Sequence, residues 1–235
     1  MKIALCLHGL TGGNTGGNGV GIPLDLETPF NSFKKHLLDK NDVDIFMHSW
    51  SIDKEEELIQ LYSPKQTLFE PQITFNDKVH KEIIIKSRWS IAKKSIEIKT
   101  EYSQQNNIKY DMVMSCRFDL IWLSDFNFNK YNYYNFYVSN WNHNGPNKVG
   151  PYPKENLHTD YGFLDFWFYS NDDYMNKFSL LYDNIDKLLL KVGLSNHRIS
   201  YAFAKQLNLP ISYTKYRGYD CEMYRRYKDP NWKLK

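Results

Sequence analysis

The 235-residue chain is poor in the features that most quickly settle a function. It has only three cysteines, Cys6, Cys116 and Cys221, an odd number without metal-ligand spacing, so neither a disulfide framework nor a zinc site is implied. Reduced thiols fit a cytoplasmic protein, and that is the expected location. Long apolar runs are missing as well. The opening Met1-Lys-Ile-Ala-Leu-Cys-Leu7 turns polar within a few residues, too soon for a signal peptide or a span, so no transmembrane segment is expected. Charge of one sign is not in excess: 30 basic and 27 acidic residues are interspersed, leaving +3, and only 215–235 is clearly basic. A dedicated nucleic-acid binder concentrates its cations, so no nucleic acid is expected as a partner. No internal repeat and no clear linker divides the chain, whose length suffices for one large core.

Glycine is sparse except in one place. Seven of the twelve glycines fall in His8-Gly-Leu-Thr-Gly-Gly-Asn-Thr-Gly-Gly-Asn-Gly-Val-Gly21, directly after the buried strand expected over 2–7. Missing side chains let a backbone bend sharply or approach a ligand closely. No lysine is present to make this a P-loop, and Gly17-Asn-Gly19 is followed three residues later by Ile22, so the dinucleotide fingerprint fails too. His8-Gly9 resembles the oxyanion loop of α/β-hydrolases, but the chain has no Gly-x-Ser-x-Gly elbow to supply a nucleophile. A flexible surface loop is the expectation for 12–21.

What is present reads as alternating strands and helices. Thr28-Pro29 suits a helix start, with the hydroxyl as cap, running to about Leu38. Val43 to His48 is a second buried strand, and strand–helix–strand order predicts a parallel sheet. Residues 51–76 read as a short helix and a long excursion. A long helix follows over 77–105, with Trp89, Ala92, Ile96 and Lys99 or Thr100 at helical spacing. Further strands are expected at 136–138, 163–169 and 210–213, helices at 173–190 and 195–206, and a long loop carrying His143 and His158 at 139–158. The 16% aromatic content suits sugar or base stacking, but core filling accounts for it first.

The most informative stretch is Tyr110-Asp-Met-Val-Met-Ser-Cys-Arg-Phe-Asp-Leu-Ile-Trp122. Met112, Val113 and Met114 predict a central parallel strand, which leaves Arg117 and Asp119 at its carboxyl end, where open α/β sheets bind ligands. Arginine supplies a rigid fork for phosphate and aspartate can hold a hard divalent cation. An intramolecular Arg–Asp ion pair closing the strand accounts for the same two residues. The sheet edge is expected to collect His8, Gly9, His48, Arg117, Asp119, Asp160 and Asp165.

Asp44-Ile-Phe-Met-His-Ser-Trp50, the stretch Tyr110 to Leu120 and Asp165-Phe-Trp-Phe-Tyr-Ser-Asn-Asp-Asp-Tyr-Met175 resemble the small GT-A-type glycosyltransferases of bacterial polysaccharide clusters and large DNA viruses, over about 1–210. The resemblance implies a single Rossmann-like GT-A α/β domain, with a mostly parallel central sheet flanked by helices. Residues 1–210 would form the glycosyltransferase domain, and 211–235 a C-terminal strand and basic aromatic tail packed on it. It implies a nucleotide-sugar donor, a carbohydrate acceptor and a role in glycan biosynthesis. The donor would meet His8, Gly9, Leu10, Thr11, His48, Arg88, Lys94, Arg117 and Asp119. Asp119 would stand in the last position of an Asp-x-Asp motif that holds Mn2+ or Mg2+, with Arg117 in place of its first carboxylate, an exchange that lowers metal affinity and adds a phosphate partner.

An inverting transfer needs a carboxylate to take the acceptor's proton, and Asp165, then Asp160, are the candidates; a retaining transfer does not need this base. Strand-entry or capping roles account for both residues without catalysis, as solvent exposure does for Arg88 and Lys94 and a helix start does for His197. Two other functions remain open at this point: a noncatalytic carbohydrate- or nucleotide-binding module on the same fold, and a nucleic-acid-associated protein using the tail.

Overall fold

The computed structural model describes residues 1–11, 24–141 and 162–224. Asp160, His143, His158, most of the glycine loop and the tail after Tyr224 lie outside these residues. In chain order the elements are β1 (Ile3–Gly9), α1 (Glu27–His36), β2 (Val43–Ser49), α2 (Glu55–Tyr62), β3 (Gln66–Phe69), α3 (His80–Gln105), β4 (Met112–Arg117), β5 (Leu120–Trp122), β6 (Phe136–Asn140), β7 (Leu164–Asn171), α4 (Asp172–Ser179), α5 (Ile185–Val192), α6 (Asn196–Gln206), β8 (Ile211–Tyr216) and β9 (Cys221–Met223).

Buried apolar runs become interior strands because both faces of the sheet are covered. Seven strands hydrogen-bond in the order β3-β2-β1-β4-β7-β6-β8. β1, β2, β3 and β4 are mutually parallel, as are β6 and β8. β7 alone runs against its neighbours β4 and β6. The protein is therefore α/β, with a mostly parallel, Rossmann-like central sheet flanked by helices. The winding reverses at β1: α1 carries the chain to β2 on one side, and α3 returns it to β4 on the other.

One core holds Phe33 of α1, Leu58 and Tyr62 of α2, Trp122, Phe126 and Trp167 against one face of the sheet. The other packs Trp89, Ala92 and Ile96 of α3 with Phe136, Phe168, Phe178 and Phe203 on the opposite face. At roughly 1.5–3 kcal/mol for each large apolar side chain fully buried, the aromatic excess is a core device here. Lys99 falls on the buried stripe of α3 as its spacing predicts, and its ammonium is neutralised by Asp172 and hydrogen-bonded to Asn176 Oδ1 at 2.9 Å. No described helix is long and apolar enough to cross a membrane.

Three local expectations are corrected and one strand is added. Thr28 does not cap α1. The Asp25 carboxylate accepts from the amides of Glu27 and Thr28 at 3.1 and 3.4 Å, and the Thr28 hydroxyl donates to it at 2.6 Å. Gln66–Phe69, within the expected excursion, adds to the sheet edge as β3. Leu120–Trp122, past the end of the expected strand, forms β5 and pairs with β9 outside the central sheet. Residues 173–190 are not one helix, since a 3-10 turn at Tyr182–Asn184 separates α4 from α5.

Candidate functional site

The reversal between β1 and β4 leaves a crevice outside their carboxyl ends, the place where open α/β sheets take ligands. His8 ends the buried part of β1, with His48 of β2 and Arg117 of β4 beside it in register. Because β7 runs the other way, its first turn of chain, carrying Asp165, arrives at this same edge. α3 crosses the edge and contributes Arg88.

Arg88 is held from three directions. Its Nη2 donates to the Asp165 carbonyl at 2.8 Å, its Nε lies 3.6 Å from Asp165 Oδ2, and its Nη1 lies 3.3 and 3.4 Å from the two ring nitrogens of His8. Burial lowers the Arg88 pKa to about 10 despite the Asp165 charge, so it remains a cation at neutral pH. His8 is 1% exposed and shares a 3.2 Å hydrogen bond with Ser115 Oγ. Burial, then Arg88 and Arg117, hold its pKa well below the ordinary value, and the ring is neutral. His48 bonds Glu70 Oε1 at 2.9 Å, yet burial still lowers its pKa.

Asp165 is 6% exposed. Burial would raise its pKa, but the charges of His197, Arg88 and Arg117 outweigh it and hold the group as a carboxylate. His197 Nδ1 stands 3.3 Å from Asp165 Oδ1, and the imidazole meets Trp141 edge to face at 4.7 Å between centroids. Arg117 and Asp119 form a two-point fork, Nε to Oδ1 and Nη2 to Oδ2, both 2.7 Å. Asp119 is 4% exposed, and its charge opposes the effect of burial on Arg117 and raises that pKa above the ordinary value.

The crevice, about 120 Å3, is walled by His8, Gly9, Arg88, Arg117, Ile84 and Asn196. Ligand pockets for drug-sized molecules run to about 300–1,000 Å3, so the described walls enclose a phosphate-sized group rather than a whole donor. A larger groove, about 700 Å3 between α5 and α6, is lined by Lys191, Arg198, Tyr201 and Lys205 and touches none of these groups.

Of the residues expected at the site, His8, Gly9, Leu10, Arg88 and Arg117 line the crevice and Asp165 stands behind Arg88. His48 adjoins it in register. Thr11 is buried away from it, its amide donating to Ser51 Oγ at 3.0 Å. Lys94 turns to Glu97 at 3.3 Å and does not reach the crevice. Asp119 faces its own arginine with both oxygens, and the described residues include no group of three His, Cys, Asp or Glu able to hold a metal ion. The described residues there do not fit Mn2+ or Mg2+, hard cations that need several oxygen ligands.

Two contributors escape sequence reading. Trp141 supports His197 from the end of β6, and its Nε1 donates to the Gly162 carbonyl at 2.8 Å. Gly162, at φ +82, passes so close to α6 that an added Cβ would lie 1.9 Å from the His197 carbonyl oxygen. An isolated glycine just ahead of an apolar run was the available signal. Gly9 is likewise obligatory: its φ is +151 and an added Cβ would meet the Phe118 ring at 3.3 Å.

Compared with known proteins, the sequence matches no family model and no curated protein.

Proposed function

We propose that the protein is a glycosyltransferase that moves a sugar from a nucleotide-diphosphate donor to a carbohydrate acceptor. The observation that carries this reading is the placement of two partly buried guanidinium groups, Arg88 and Arg117, in a small crevice at the reversal point of a Rossmann-like sheet. Their charge suits a diphosphate, both as a bound group and as a departing one. The resemblance of Asp44–Trp50, Tyr110–Leu120 and Asp165–Met175 to GT-A enzymes supplies the sugar.

In an inverting transfer the acceptor hydroxyl attacks the anomeric carbon, the bond from that carbon to the diphosphate oxygen breaks, and the diphosphate leaves with the electron pair. The hydroxyl proton passes to the Asp165–His197 pair. Asp165 is already a carboxylate, and His197 is one-third exposed while its Nδ1 is buried toward Asp165. General-base assistance of this kind contributes typically 10²–10⁴-fold.

The reading is tested with the full chain and a panel of nucleotide sugars. One donor is expected to raise the melting temperature and to be hydrolysed slowly without acceptor; a panel that shifts nothing overturns the proposal. A second reading, a noncatalytic nucleotide- or carbohydrate-binding module, is favoured by the closed Arg117–Asp119 fork. It predicts the same thermal shift with no turnover of any donor.

A further inference from the structure

We infer that the crevice binds the donor's diphosphate without a divalent cation, with Arg88 and Arg117 supplying the positive charge that a metal would otherwise bring. This rests on the nucleotide-sugar reading and names how that same site meets its ligand. The geometry that carries it is the fork. Both Asp119 oxygens receive a guanidinium N–H at 2.7 Å, and Asp119 is buried, so a metal could take that carboxylate only by displacing a two-point charge-assisted bond. A second carboxylate at this edge, Asp165, lies between Arg88 and His197, 3.6 and 3.3 Å away.

The same pairs prepare the arginines for an anion. Asp119 engages Nε and Nη2 of Arg117, which leaves Nη1 outside the fork, on a residue that lines the crevice. Asp165 and His8 fix Arg88 on the facing wall. A guanidinium held rigid by a buried carboxylate loses little further freedom when phosphate arrives, and its remaining donors match phosphate oxygens in direction. His8, neutral between the two arginines, adds no competing charge. Mg2+ and Mn2+ sites in phosphoryl chemistry use one or two carboxylates free to coordinate. At this edge Asp119 and Asp165 partner the arginines instead, and Glu70 is bonded to His48.

The test measures binding of inorganic pyrophosphate and of a panel of nucleoside diphosphates to the full chain by calorimetry, once in EDTA and once with Mn2+ or Mg2+. The affinity for pyrophosphate and for at least one nucleoside diphosphate is expected to agree within about threefold between the two conditions. A nucleoside diphosphate that binds only with the cation overturns the inference and leaves the glycosyltransferase reading standing. No binding in either condition overturns both. Asp119→Asn then separates the two roles of that carboxylate by sign. Removing a metal ligand weakens binding, whereas removing the counter-charge of Arg117 leaves pyrophosphate bound as tightly or more so; a tenfold loss, about 1.4 kcal/mol, counts against the inference. Replacing the pair together, Arg117→Gln with Asp119→Asn, avoids stranding a buried charge and is expected to weaken pyrophosphate binding about tenfold or more.

Discussion

His8 shows how a single side chain is tuned by its place in a sheet. It sits at the end of an interior strand, between Arg88 and Arg117, where burial and two cations keep the imidazole neutral. The unfolded chain, with an ordinary histidine, takes up a proton below about pH 6.5 that the folded chain refuses. Stability is therefore full above that pH and falls as pH drops below it, by up to about 1.4 kcal/mol per unit for each such group. His48 acts in the same direction. Melting temperatures across about pH 5.5–7.5 should show a steeper acid loss in the wild type than in His8→Gln; parallel curves would place the responsible proton elsewhere. Asp165 gives a prediction of another kind. Asp165→Asn leaves Arg88 and His197 without their carboxylate, so nucleoside diphosphate binding is expected to hold or tighten while turnover falls about 100-fold or more. Unchanged turnover would remove Asp165 from the chemistry.

At the scale of elements, what could be read from the sequence followed burial. β1, β2, β4 and β7 are each built around an apolar run because the sheet is covered on both faces, and that makes them legible. β3 is short, half-exposed Gln-Thr-Leu-Phe at the edge, with no such run to betray it. Leu120–Trp122 is as apolar as β4, so nothing in its composition says that the chain turns at Phe118-Asp119 and pairs elsewhere. Site residues on strand ends were visible for the same reason as the strands. Arg88 resembled any solvated helix charge, and only the crossing of α3 over the sheet edge makes it central; Lys94, six residues further along the helix, resembles it in sequence and points to Glu97. The contact between the start of β7 and α6 depends on Gly162, whose backbone lies against the His197 carbonyl, with Phe163 N donating to that carbonyl at 2.9 Å. Gly162→Ala must move one element or the other. It is expected to lower stability by about 1–3 kcal/mol from the backbone strain alone and to displace His197 from Asp165, which denaturant titration and turnover together would register. A variant with wild-type values for both would show that this contact positions nothing.

For the whole molecule, the decisive question is how far the fold extends along the chain. The family resemblance covers about 1–210, and the basic, aromatic chain beyond is expected to add a strand and a tail packed on the same domain. The structure gives residues 211–224 interior work. β8 pairs with β6 at the sheet edge, and β9 pairs with β5 under the aromatic core that holds Trp122 and Trp167. Cys221 and Tyr224 are fully or almost fully buried, as is Glu222, whose Oε2 accepts from Arg217 Nε at 3.1 Å. Tyr224 also ties distant parts of the chain: its hydroxyl donates to Asp25 Oδ2 at 2.9 Å, and its amide donates to the Asp119 carbonyl at 2.8 Å. Ending the chain at residue 210 would expose part of that core, leave β6 an open edge and release the carbonyl of the residue on which Arg117 is anchored. Losing one buried side chain of the size of Tyr224 alone removes roughly 1.5–3 kcal/mol, a sizeable share of the roughly 5–15 kcal/mol that holds a domain together. The truncated chain is therefore expected to lose its cooperative thermal transition or to aggregate, and with it any binding of pyrophosphate. A truncated chain that melts cooperatively at the full-length temperature would show that 1–210 folds without the last two strands, and that the crevice does not depend on them.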